Sequence, residues 1–320
     1  MIVLERAAPR KLVQLHALLR RLDSSDPDFA YYKDLSTRLK VGLAGEQRVD
    51  REWIEMPSRE KHCLFLNYEF LNDFGIPHQI DTLLLTSHFL LIIEIKNISG
   101  RLDFEDDKHQ LIRSRQDGSV EGFTNPIDQV LRHVHYIKKL LDLWKVSLPV
   151  QYAIVISNPS TIIGRIPSGI PIFHASGLRS YLGRLFAKHS TAVLSHEKVD
   201  QLAEVFLARL ERIPPSPTTV SKERLRKGVL CEVCHYQETM LYKYGTWCCP
   251  SCGVRNKKAV LQALDDYRLL IGERITNQEF RAFFGIESMA IASKLLARLP
   301  LKSGGEKRGR YYIIPEDINQ

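Results

Sequence analysis

Apolar and polar positions alternate along the chain in two rhythms, and these predict its elements. Residues 10–22 and 29–54 carry apolar side chains at helical spacing. Residues 63–71, 79–85, 89–96 and 109–114 have the length and β-branched content of strands. Residues 125–144 then form a long amphipathic pattern, with Pro126 suited to the first turn of a helix. The run 151–157 (QYAIVIS) and the shorter 171–174 read as strands, and 178–185 and 196–212 as helices. This order predicts an α+β fold in which helices flank a mixed sheet that begins as an antiparallel hairpin. Residues 213–221 (IPPSPTTVS) read as an extended linker. Beyond it, residues 261–271 predict a helix and Thr276 with Glu279 a capping box, while Gly285 marks a turn. Residues 288–299 predict a second helix, and 301–314 a hairpin with a glycine tip. The boundaries expected are a helical extension over 1–39, a main domain over 40–212, a linker over 213–227, and two small domains over 228–257 and 258–320.

Composition narrows the class. With 44% apolar and 26% charged residues, the 320-residue chain has enough apolar material for a core. The most apolar stretch, residues 80–95, is interrupted by Asp81, Thr82, Ser87, His88 and Glu94 and is too short for a bilayer. The opening MIVLERAAPRK has charges where a secretory signal needs its apolar core, so a cytoplasmic protein without a membrane partner is expected. The net charge is +8, and residues 221–320 hold 17 Lys and Arg against 11 Asp and Glu. A polyanion is the natural partner for that segment, DNA first and RNA as the alternative; a merely soluble basic surface is the plain reading.

The strongest chemistry before the linker is Asp81…Glu94-Ile95-Lys96. If the turn between the two apolar strands centres between Ser87 and His88, Asp81 falls opposite Glu94. The period of two then places Lys96 on the same face. Neighbouring carboxylates repel unless a cation lies between them, and Mg²⁺ or Mn²⁺ takes such oxygen ligands. A lysine beside them can orient an attacking water, which is the chemistry of phosphodiester hydrolysis. The trio is short, and a surface ion pair with Lys96 capping two edge acids fits the same spacing.

Four blocks in order extend this pattern: Gly42-Leu43-Ala44-Gly45-Glu46, Gln79-Ile80-Asp81, Glu94-Ile95-Lys96, and Asn125-Pro126-Ile127-Asp128-Gln129. In them the stretch from about residue 40 to 159 resembles the nuclease-related domain (NERD), a branch of the PD-(D/E)xK restriction-endonuclease-like superfamily. The resemblance implies an α/β/α core with a mixed sheet, Asp81 and Glu94 as ligands of a divalent metal, and Lys96 positioning the water. It further implies Glu46 as an additional acid from the first helix and Gln129 as a contact from the later one. Gln79 departs from the hydrophobic residue usual there. Gly42 and Gly45 are expected to allow close helix packing.

Five of the six cysteines lie between Cys231 and Cys252. Cys231-x2-Cys234 and Cys249-x2-Cys252 form two knuckles suited to one tetrahedral, structural Zn²⁺ in a zinc ribbon, because four thiolates leave no open position. Cys248 could replace Cys249, with His235 a weaker candidate. The segment after the ribbon resembles a small winged helix. Lys294, Arg298, Lys302, Lys307, Arg308 and Arg310 would then meet phosphate. Together these features predict a Mg²⁺- or Mn²⁺-dependent (endo)deoxyribonuclease with a DNA-recruiting tail. A catalytically silent DNA-binding or regulatory protein on the same fold, and an RNA-processing nuclease, are the alternatives.

Overall fold

A computed structural model describes residues 1–54 and 61–318, except for the Arg308 side chain. In chain order, strand β1 (Ile2–Leu4) precedes helices α1 (Arg10–Arg21) and α2 (Phe29–Ile54). Strands β2 (His62–Leu71), β3 (Pro77–Thr86) and β4 (Leu90–Lys96) follow, then a meander of β5 (Arg101–Glu105), β6 (Gln110–Ser114) and β7 (Val120–Thr124). Next come α3 (Pro126–Leu143), β8 (Val150–Ile156), β9 (Ile162–Ile163), β10 (Ile172–His174), α4 (Leu178–Lys188) and α5 (His196–Ala208). The remainder comprises β11 (Val229–Leu230), β12 (Thr239–Lys243), β13 (Thr246–Cys248), β14 (Arg255–Asn256), α6 (Ala259–Leu270), β15 (Arg274–Thr276), α7 (Asn277–Phe284), α8 (Met289–Leu296), β16 (Lys302–Gly304) and β17 (Tyr311–Ile313). The α+β class read from the sequence is the class observed.

These elements divide into two compact units. The first contains Met1–Ala8 and Leu39–Pro214, the second Pro9–Arg38 and Pro215–Gln320. Residues 1–39 are therefore not one extension: β1 joins the first unit's sheet, and α1 belongs to the second.

The first unit is built on a six-stranded mixed sheet of order β1-β2-β3-β4-β8-β10. Its central strands are apolar from Leu83 to Leu85 and from Leu90 to Ile93 because both faces are covered there. Leu83, Leu85, Leu90 and Ile92 pack on the side of α3 and α5, against Ile137, Val199 and Phe206. Leu84, Leu91 and Ile93 face the opposite way, with Val49 of α2 and Leu182 and Leu185 of α4. Each fully buried Leu or Ile is worth roughly 1.5–3 kcal/mol. A slip of one residue between β3 and β4 would drive Asp81 and Glu94 into the wrong core, which fixes the register. That register pairs Thr82 with Ile93 and Leu85 with Leu90, as the turn position predicts. The sequence reading missed β5 and β7, which with β6 and β9 form a second sheet of order β7-β6-β5-β9. Neither RLDFE nor VEGFT carries an apolar run: β7 is mostly solvated, and β5 buries only the alternating Leu102 and Phe104.

In the second unit, the sheet β11-β12-β13-β14 and the sheet β15-β17-β16 accompany α6, α7 and α8. One apolar cluster joins Val229, Met240 and Trp247 of the first of these sheets to Leu264, Phe280, Phe284 and Ile314. Helix α1 packs on α6. There Arg20 and Arg21 reach the buried Asp266 at 2.6 and 2.8 Å, and Arg21 also donates to the carbonyls of Arg226 and Gly228. Helix α7 has the expected capping box of Thr276 and Glu279, and Gly285 caps its end at φ +67°. Among the described residues, no helix is long and apolar enough to cross a membrane.

Candidate active site

The β3–β4 ladder ends at Thr82–Ile93, and the next residue of β3 takes over the hydrogen bond that the ladder would have made. Asp81 Oδ2 accepts from the backbone N–H of Ile95 at 2.7 Å, which fixes its carboxylate beside β4. Glu94 is 2% exposed. Its Oε1 accepts from Lys96 Nζ at 2.7 Å, while its buried Oε2 has no hydrogen-bond partner. The Lys96 ammonium also reaches Gln129 Oε1 at 3.2 Å. Helix α3 delivers Gln129 there because its start is closely defined: the Asn125 side chain accepts from Ile127 N–H, and Pro126 occupies the first turn. The Asn-Pro-x-x-Gln block is thus a helix cap followed by a residue aimed at Lys96.

Glu46 enters from α2, whose close approach depends on Gly45. A Cβ at Gly45 would lie 2.4 Å from Asn97 Cβ and 2.6 Å from Ser157 Oγ, so only glycine lets the helix meet the ends of β4 and β8. Gly42, expected to act likewise, faces open space. Glu46 Oε2 is held at 2.6 Å by Arg6, which also forks onto Asp50 and donates to the carbonyl of Asp81. Arg6 and Asp50 were not legible as site residues.

The electrostatics follow from burial and crowding. Burial, then the Asp81 carboxylate, pushes Glu94 up to about 8. The same two causes lift Glu46 to about 7. Burial raises Asp81 as well, against the lowering effect of the Ile95 N–H. Burial disfavours the Lys96 ammonium, but the Glu94 carboxylate prevails and holds it above its ordinary value. Of these carboxyls, Asp81 and Glu94, the latter with an orphaned buried oxygen, suit a divalent cation such as Mg²⁺ or Mn²⁺.

Asp81 and Gln129 line an open groove of about 1040 Å³ between the β2–β3 turn and α3. His78, His133 and Tyr136 form part of its wall, with Phe70, His78 and Tyr136 stacked. Burial, then His78, lowers His133 to about 4, so it is neutral at pH 7. At the turn Phe74 is 87% exposed. Asn72 Oδ1 shapes that turn by accepting from the N–H groups of Phe74 and Ile76.

In the second unit, Cys231, Cys234, Cys249 and Cys252 bring their sulfurs within 4.8 Å of one another. Among the described residues this is the set of three or more Cys, His, Asp or Glu side chains gathered so closely; Glu46, Asp81 and Glu94 are not. Two of the S···S separations are 3.7 Å. A tetrahedron with Zn–S bonds of about 2.3 Å has edges of about 3.8 Å, so the cluster accommodates zinc. Backbone N–H groups of Cys252 and Ser251 pull the Cys249 thiol down to about 7. Cys248 and His235 lie outside the cluster, which includes Cys249. Cys63 is buried in β2, as its apolar strand suggests.

Lys294, Arg298, Lys302, Lys307 and Arg310 are all exposed. The Arg308 side chain lies outside the described residues. Alongside Lys294, the exposed face of α8 presents Met289 and Ile291.

Residues 41–157 match the family model NERD, described as "Nuclease-related domain". The match takes in Glu46, Asp81, Glu94, Lys96 and Gln129 and ends before the four clustered cysteines. No curated protein and no solved structure matches the chain.

Proposed function

We propose that this chain is a metal-dependent nuclease that hydrolyses DNA phosphodiester bonds. Asp81 and Glu94 hold Mg²⁺ or Mn²⁺, and the four cysteines hold a structural Zn²⁺. The observation that carries the reading is the buried, unpartnered Glu94 Oε2 beside Asp81, at the heart of the matched nuclease-related segment. The divalent ion, when bound, supplies charge neutralisation as the phosphate gains negative charge. The chain's own groups do the rest. Lys96, tethered by Glu94 and Gln129, presents its ammonium to the attacking water and the phosphate. The Ile95 N–H keeps Asp81 from rotating away. His133, neutral in the groove wall, adds no competing cation.

The second unit adds affinity in this reading. The order α6, β15, α7, α8, β16, β17 is that of a winged helix, and its exposed basic side chains suit phosphate. Met289 and Ile291 on α8 offer no hydrogen bonds to base edges, which favours phosphate contact over sequence reading. Deleting residues 222–320 would strip α1 of its partner α6, so point substitutions give the cleaner test. Replacing Lys302, Lys307 and Arg310 by Ala should lower the slope of log affinity against log salt by about 2–3 units. An unchanged slope assigns the tail to a protein partner.

The activity itself is tested by incubating the full chain with linear, circular, single-stranded and branched DNA, and with RNA, under Mg²⁺ or Mn²⁺. Cleavage of DNA in at least one form is expected. Cleavage of RNA alone makes the chain an RNA-processing enzyme, and failure on every substrate favours the silent DNA-binding protein.

A further inference from the structure

A second cation at the acids, beside Lys96, comes from outside the matched segment. Arg6 follows β1, which pairs in parallel with β2, and the terminal ammonium of Met1 donates to the carbonyl of His62. Its guanidinium is 3% exposed. It donates to Asp50 Oδ2 at 2.7 Å and Oδ1 at 3.0 Å, to Glu46 Oε2 at 2.6 Å and to the Asp81 carbonyl at 2.8 Å. Glu46 and Asp50 are one helical turn apart on α2 and so face it together. The bidentate fork on Asp50 fixes the plane of the guanidinium, and that plane carries one N–H to Glu46.

We propose that Arg6 is a built-in cation that replaces a second divalent ion, so that the centre takes a single ion on Asp81 and Glu94, with Glu46 as the partner of Arg6 and not a ligand. This inference rests on the metal-dependent reading above. A guanidinium keeps its proton at any pH the protein meets, so its charge at Glu46 is permanent. An ion recruited to Glu46 Oε2 would break a short charge-assisted bond and leave a buried cation short of an acceptor. It would also set a dication beside a guanidinium. Both effects oppose a second site. Through the Asp81 carbonyl, Arg6 also acts as a positioning residue for the strand that carries a metal ligand.

The test is Mn²⁺ titration of the full, zinc-loaded chain without DNA, followed by the paramagnetic signal of free Mn²⁺. One ion per chain is expected, with affinity falling tenfold or more in Asp81→Asn and in Glu94→Gln. Glu46→Gln should change that affinity by less than about threefold, well short of the loss typical when an ion's supporting shell is altered. Arg6→Gln should gain a second ion, and the double variant Arg6→Gln/Glu46→Gln should lose it again. Two ions in the wild type, or a tenfold loss in Glu46→Gln, would overturn the proposal. Because Arg6→Gln removes a buried cation and can fail to fold, Glu46→Gln decides the question without it. Absence of Mn²⁺ binding, or binding indifferent to Asp81→Asn and Glu94→Gln, defeats the metal-dependent reading itself and this inference with it.

Discussion

Glu94→Gln is expected to lower phosphodiester cleavage by about three orders of magnitude or more, while stabilising the protein in buffer without Mg²⁺ or Mn²⁺. The first effect follows from losing an ion ligand and the negative charge that anchors Lys96. The charge stabilisation at risk is several kcal/mol, and each 1.4 kcal/mol is about tenfold in rate. The second follows from burial. Glu94 in the folded chain titrates near 8 instead of in the usual carboxylate range near 4.5. Between those two values the folded state binds a proton that the unfolded state has released. Stability of the wild type without divalent ion therefore falls as pH rises from about 4.5 to 8. Glutamine carries no charge to desolvate, so the variant's curve should lack that fall and lie above the wild type at pH 8–9. Calorimetry across the pH series, with and without Mg²⁺, measures both curves. Added Mg²⁺ should raise the melting temperature of the wild type and leave the variant's almost unchanged. Wild-type cleavage by the variant, or superimposable stability curves, would remove Glu94 from the centre.

The hairpin that supplies these groups was legible because its signals agree. Two apolar runs, with a Thr-Ser-His turn between them, favour a register that gathers Asp81 and Glu94 on one face of the sheet, across from each other. Lys96 follows from the period of two, whereas Gln129 and Glu46 were legible only through the resemblance of their blocks to the nuclease-related domain. What escaped notice lacked any local pattern. Arg6 sits in an irregular segment 40 residues before Glu46, and its importance arises from the parallel pairing of β1 with β2, a long-range event with no signature in MIVLER. Strand β7 is short and solvated, and β5 offers only Leu102 and Phe104 to the core, so pairing within the meander, more than any apolar run, makes them strands. Helix α1 reads as an amphipathic helix from its own sequence. That its apolar stripe and Arg21 belong with α6 and Asp266 depends on contacts more than 200 residues distant in sequence. Sequence spacing alone favoured Cys249 but left Cys248 able to replace it. The strand alternation separates them, since Cys248 ends β13 and pairs with Arg255, whereas Cys249 lies beyond the strand with its sulfur in the cluster.

Removal of zinc should unfold far more than the two knuckles. Cys231 and Cys249 are buried in the same apolar cluster as Trp247, Leu264, Phe280 and Phe284, so the ribbon is one wall of the second unit's core. Without the ion the four sulfurs lose their common anchor. Neighbouring thiols already raise Cys234, and burial raises Cys231, so neither settles as a thiolate unless a cation is present. Structural zinc in small domains contributes on the order of 10 kcal/mol of apparent folding free energy. That is comparable with the whole stability of an ordinary domain, roughly 5–15 kcal/mol. Chelation, or Cys249→Ser, should therefore collapse the packing around Trp247, seen as a red shift of its fluorescence and loss of near-ultraviolet dichroism. Proteolysis should then cut within residues 229–318. Cys248→Ser should keep one zinc per chain by elemental analysis and an unchanged spectrum. The first unit has its own cores and no cysteine in the cluster, so Mn²⁺ binding at Asp81 and Glu94 should persist after zinc is withdrawn. If Trp247 fluorescence survives chelation, the apolar cluster holds the unit together by itself and the ion only trims the ribbon. If instead Cys248→Ser loses the metal, the knuckle uses the other sulfur.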